Sequence, residues 1–212
     1  SFRVRRLPDD AHSSLVAPVL GAWYDSLVVL QGRQFAFIDL NPKTTLSAKE
    51  LADYTYSTGI NVSLVRNPAS AKELATAKNL PLFTGLKVNA KNQATAKSSA
   101  ADYILGESTD LETAQALLRG KKINIWSDKG RTLDNRLAAE LLDLAKQNNV
   151  AIEIDNVSKS PSVEIIKMAK AKGCKFTFAG LVPASNMEKS MYVVKVIKEA
   201  KLTYKDQYIP NW

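Results

Sequence analysis

Histidine is almost missing from this chain, which has one, His12, in 212 residues. A metal site built from several imidazoles is therefore excluded. Ser-His-Asp and Cys-His machinery is excluded too, unless His12 itself reaches the nucleophile. Cysteine is as scarce. Cys174 stands alone, so no intrachain disulfide can form. Between Gly173 and an apolar run it reads as a small buried residue. No apolar run approaches the roughly 20 residues that span a bilayer. The sequence has no Walker loop, HExxH, CxxC or G-x-G-x-x-G, and the last absence weighs against a dinucleotide-binding sheet.

What is present suits a globular domain with a substantial core: 45% of residues are apolar and 24% charged. The net charge is +8 with a pI near 9.5, which permits anions, RNA or an acidic surface as partners. The lysines are spread along the chain without a polybasic block, as on a solvated surface. The start at Ser1 fits a processed or trimmed chain, and the expectation drawn from it is a periplasmic or secreted protein after signal removal. The sequons at Asn61 and Asn156 carry no weight.

Residues 1–34 read as an N-terminal arm, broken by Pro8 and Pro18, and a hairpin strand anchored by Trp23 and Tyr24 with its turn at Gly32. From residue 35 to 212 the pattern is one unit. Strands are expected at 35–39, 61–65, 82–88, 102–106, 122–126, 151–154 and 175–179. Helices are expected at 47–57, 70–78, 110–118, 134–147, 162–172 and 187–200. Ser47-x-x-Glu50 and Ser70-x-x-Glu73 have capping-box spacing, and Gly59 stops the first helix. Residues 89–100, small and polar, read as a loop. Parallel strands need crossover helices, so this alternation predicts a parallel sheet, closed or open.

The order of these patterns resembles the polymerase and histidinol phosphatase (PHP) superfamily over residues 35–204. The likeness is strongest in ELLDLAKQNNVAIEID (140–155) and KAKGCKFTF (170–178). The resemblance implies an α/β fold, a distorted seven-stranded β/α (TIM-like, PHP-type) barrel, and a site that hydrolyses phosphoesters with bound metals. At the family's ligand places this chain differs. Asp39 keeps the first aspartate, but Asn41 and Lys43 stand where histidines belong. Arg66 and Lys87 follow the second and third strands, Tyr103 opens the fourth, Asp128 takes a further histidine place, and 181–183 replaces the closing Asp-x-His.

Lys43, Arg66 and Lys87 would put positive charge where cations should sit, and Coulomb repulsion opposes metal binding there. Two readings stay open. The cations converge at the strand ends as an anion site for phosphate, sulfate or a carboxylate. Alternatively, Asp39, Asp128 and Glu153 neutralise them, Glu153 needing a partner inside its strand. The expected protein is a catalytically degenerate barrel, a pseudoenzyme with no cofactor and no metal, that binds a small anionic ligand or a partner. Its ligand-binding candidates are Lys43, Arg66, Lys87, Asp39, Asn41, Tyr103, Asp128 and Glu153. The alternatives are an RNA-binding scaffold, as the resemblance to the ribonuclease P barrel subunit implies, and a divergent phosphoesterase-type hydrolase. Elemental analysis of protein purified without chelator is expected to find no stoichiometric zinc, manganese or iron. Two or more tightly bound transition metals per chain would overturn this.

Overall fold

The computed structural model describes residues 35–36, 38–97, 101–134, 136–183, 186 and 190–211. The arm and hairpin expected at 1–34, with His12, Trp23 and Tyr24, lie outside the described residues. Seven strands follow one another: β1 (Ile38–Asp39), β2 (Asn61–Arg66), β3 (Phe83–Val88), β4 (Tyr103–Ser108), β5 (Ile125–Asp128), β6 (Ala151–Asp155) and β7 (Phe176–Ala179). They pair in chain order, every pair parallel. The Leu40 N–H donates to the Phe178 carbonyl at 3.1 Å, bringing the first strand's end to the last. The sheet is thus a nearly closed barrel. Its crossovers carry α1 (Ala48–Thr58), α2 (Leu111–Gly120), α3 (Ala138–Gln147), α4 (Val163–Ala171) and α5 (Tyr192–Glu199), plus a 3-10 helix at Pro68–Ala77.

Local chemistry sets the boundaries. Ser47 and Glu50 form the capping box of α1, and Gly59 ends it at φ +75°, a conformation that costs glycine least. Asp110 and Ser162 cap α2 and α4 by accepting the N–H three residues on. The second expected capping box does not form. Asn67 caps that segment instead, accepting the Ser70 N–H at 3.1 Å, and Pro68 opens it. Proline has no N–H to lose at a helix start. That leaves Glu73 free to meet Arg66. The fifth strand begins at Ile125 because Asn124 is spent on Ile104, accepting its N–H on the side chain and donating to its carbonyl.

Alternation along the strands separates two cores. Val62, Leu64, Leu86, Ile104, Trp126, Ile152, Ile154, Phe176 and Phe178 face the helices. Ile38, Leu40, Tyr103, Leu105, Ile125 and Ala151 fill the barrel, with Val65 and Phe83 against them. Cys174 is buried in the outer layer. Among the described residues no helix is long and apolar enough to cross a membrane.

Tyr103 spans the barrel interior and its hydroxyl donates to the Leu40 carbonyl. It needs Gly85 beside it, since a Cβ there would lie 2.5 Å from the ring. Gly85→Ala is expected to cost about 1–3 kcal/mol by overpacking, read from denaturant melts. An unchanged midpoint would remove this account of the interior.

Candidate functional site

Ala151 belongs to the barrel interior, so the period of two turns Glu153 and Asp155 the same way, towards the carboxyl ends of the strands. Two carboxylates inside one strand are costly unless compensated, and the neighbouring strand ends compensate them. Glu153 Oε1 accepts a 2.7 Å bond from Asn41 Nδ2. Its Oε2 accepts from the Ser127 hydroxyl and lies 3.7 Å from Lys129 Nζ. Asp155 Oδ2 is 3.2 Å from Lys129 Nζ and 3.6 Å from Lys43 Nζ. Lys43 and Lys129 thus share one oxygen of Asp155. The site is therefore a four-charge cluster drawn from the ends of β1, β5 and β6.

Its proton affinities follow from that geometry. Burial lowers the Lys43 ammonium below its ordinary value; Glu153 and Asp155 pull the other way, but contact with Lys129 adds to the lowering. Burial also opposes the charge on Lys129, where Glu153, the contact with Lys43 and Asp155 outweigh it and hold the ammonium above its usual range. Burial would raise Asp155, yet Lys43 and Lys129 together keep it below the usual carboxylate value.

Asp39 does something else. Its Oδ2 accepts the Leu181 and Val182 N–H groups at 2.8 Å each, and its Oδ1 accepts the Asn41 N–H at 3.0 Å. It pins the loop after β7 to the end of β1 and so aims Asn41 and Lys43 inward. Burial, aided by the charge of Glu153, pushes this carboxyl up to about 7, against the three N–H donors that favour its ionised form.

The other candidates do not join the cluster. Arg66 follows the inward-facing Val65, so it faces the helices, where it binds Glu73 and the Leu46 carbonyl. Lys87 is 3.7 Å from Glu107 on the next strand. The expected convergence of Lys43, Arg66 and Lys87 is thus replaced by three separate ion pairs, with Asp155, Glu73 and Glu107. Tyr103 is interior filling. Asp128 accepts the Thr132 and Leu133 N–H groups, each at 3.0 Å, and caps that turn. Sequence reasoning missed Lys129 and Asp155. The signal was available, because Asp155 shares the face of Glu153 and Lys129 is one residue beyond Asp128.

A cavity of about 10 Å³, one water's worth, lies among Lys129, Arg131, Asp128, Asp134, Glu153 and Asp155. A roomier one of about 840 Å³ opens at the other end of the strands; half of its lining is alanine and leucine, with Lys72, Lys78, Asp102 and Asn211 among the rest. Chemistry points to the small one.

The shift of Asp39 sets a pH dependence. The folded carboxyl keeps its proton up to about pH 7, whereas the unfolded one releases it near pH 4. The folded state therefore binds the extra proton between those values, and this residue's contribution to stability falls as pH rises through them. Wild-type protein minus Asp39→Asn, compared by denaturant melts, is expected to lose stability from pH 5 to pH 7.5. A difference that is flat or rises would contradict the shift.

No protein-family model matches the sequence, and no curated protein matches it. Among solved structures, the chain is similar to the histidinol phosphate phosphatase of Lactococcus lactis, solved with zinc, L-histidinol and phosphate. The TM-score is 0.57 at 8% identity, over 79% of this chain and 94% of that one. A chain of an archaeal ribonuclease P solved with mature tRNA gives a TM-score of 0.49 at 16% identity, over 77% and 91%. The donors here do not fit a zinc centre. Among the described residues no three His, Cys, Asp or Glu side chains are grouped to hold a metal ion, and ammonium groups already lie on Glu153 and Asp155. The chain thus has the barrel fold of that phosphatase, with lysines and carboxylates paired at the strand ends.

Proposed function

We propose that the protein is a metal-independent, catalytically degenerate PHP-type barrel that binds a small anion at the carboxyl ends of its strands. The observation that carries this reading is the pair of ammonium groups, Lys43 and Lys129, sharing one oxygen of Asp155 at 3.6 and 3.2 Å. An ammonium has three donors. The carboxylate contacts use one on Lys43 and two on Lys129, so donors remain for a phosphate, sulfate or carboxylate. Arg131 lines the same small cavity. It donates to the Ser158 carbonyl and, among the described residues, has no carboxylate within 4.0 Å. Asn41 and Ser127 hold Glu153 in place, which leaves the cations facing outward. Phosphoester hydrolysis is not part of this reading, because a lysine cannot generate a metal-bound hydroxide.

Phosphate titration against thermal unfolding tests it. At ten times its Kd a bound anion contributes about 1.4 kcal/mol, which raises Tm by about 3–6 °C in a domain of this size. Sodium chloride at equal ionic strength is the control. Wild-type protein is expected to show the rise and Lys43→Ala, Arg131→Ala protein to lose most of it. Equal shifts in the two proteins, or none in either, would leave a decayed barrel.

A further inference from the structure

The groove of about 840 Å³ at the amino ends of the strands is walled by the 3-10 helix at Pro68–Ala77 and by the starts of β3 and β4. Leu80, Leu82, Phe83 and Ala101 pack on the cores with one side and are only half-buried. Apolar surface is therefore left facing the groove, and covering it is favourable. Two exposed lysines, Lys72 and Lys78, also line it, and among the described residues neither has a carboxylate within 4.0 Å. The groove's own acid, Asp102, is already engaged by the Thr84 N–H at 2.9 Å and by Asn211 Nδ2 at 3.1 Å. The place thus asks for an apolar occupant that carries negative charge.

The chain ahead of β1 meets that description. It enters at the same end of the barrel. The Ala36 N–H donates to Gln207 Oε1 at 2.9 Å. The segment that carries Gln207 runs on to Asn211, at the wall of the groove. Ala36, Phe83 and Ile209 belong to one interior cluster. Neighbouring strands are about 4.8 Å apart, so β3 and β4 start roughly 10–15 Å from β1. The chain from residue 30 to residue 35 covers up to about 17 Å when extended. Residues 23–30 read WYDSLVVL, with Asp25 as their single charge. An apolar run of this kind needs a cover, and its one carboxylate complements the two lysines.

We propose that residues 23–30 of the same chain dock in this groove, with the leucines and valines against Leu80, Leu82 and Phe83, and Asp25 towards Lys72 and Lys78. The amino end of the barrel is then closed by the chain itself. This is independent of the anion-binding reading, which concerns the opposite end.

Cross-linking tests it in the full chain. On a Cys174→Ala background, Val28→Cys is combined with Ala75→Cys on the groove wall, and separately with Thr45→Cys at the carboxyl end of the barrel. Leu27→Cys is combined in the same two ways, so that both faces of the segment are sampled. Docking raises the effective concentration of one thiol at the other, so under mild oxidation at least one groove pair is expected to close within a chain about tenfold faster than its control. Urea should remove that advantage. Groove pairs that close no faster than their controls overturn the inference. A covalent dimer in place of the intrachain bond assigns the groove to a second copy and overturns it too. A second measurement needs no cysteine. The probe 1-anilinonaphthalene-8-sulfonate fluoresces in open apolar sites. Wild-type protein is expected to leave it dark, and Leu27→Ser, Leu30→Ser protein to raise the signal severalfold with an unchanged far-UV spectrum. Bright wild-type protein, dimmed by Lys72→Glu, Lys78→Glu, would show an open groove for an amphipathic anion and would end the docking account.

Discussion

A parallel barrel closes only where its first and last strands meet, and here the described part of β1, Ile38–Asp39, lies at that seam. The Asp39 carboxyl ties that seam, taking the Leu181 and Val182 N–H groups that would otherwise be buried without partners. The Leu40 and Lys43 N–H groups add bonds to the Phe178 and Val182 carbonyls. The seam has a second consequence. With the end of β1 pinned to the loop after β7, Asn41 and Lys43 are delivered to Glu153 and Asp155, more than a hundred residues away in sequence. Closure of the barrel and assembly of the cluster depend on the same side chain.

The cluster is then a problem of charge burial with a local solution. Glu153 and Asp155 are both nearly fully buried. A carboxylate taken out of water needs either a cation or several hydrogen bonds. Glu153 receives bonds from Asn41 and Ser127 and a cation from Lys129; Asp155 receives two cations and the N–H groups of the following turn. Removing any one partner would leave charge uncompensated, whereas the intact set is balanced. Such a set fixes the strand ends relative to one another, whatever it binds.

Much of the fold was legible because it rests on short-range rules. The alternation of apolar runs, the Ser47 box and the Gly59 stop all act within four residues. The site was harder because it depends on parity and register. Lys43, Arg66 and Lys87 look equivalent in the sequence, each just past a strand core. One position of parity sends Arg66 to the helix side while Lys87 stays on the barrel side. Likewise, Asp128 was singled out, yet the residue that reaches the cluster is the next one, Lys129. Nor could the sequence reveal that Asn67 would pre-empt Ser70 as a cap, freeing Glu73 to take Arg66. These outcomes are set by which strand lies alongside which, and no window of the chain contains that information.

A lysine in a charge cluster differs from a metal in a way that matters for chemistry. A metal ion polarises a substrate or a water and keeps its charge at every pH of interest. An ammonium matches the charge but offers no vacant orbital, so the hydrolytic route is closed to it. It has one property the metal lacks: it can lose a proton and become a donor of electrons. Here two ammonium groups share one oxygen of Asp155, and Glu153 supplies the second negative charge, so the charges of the cluster cancel among its own side chains.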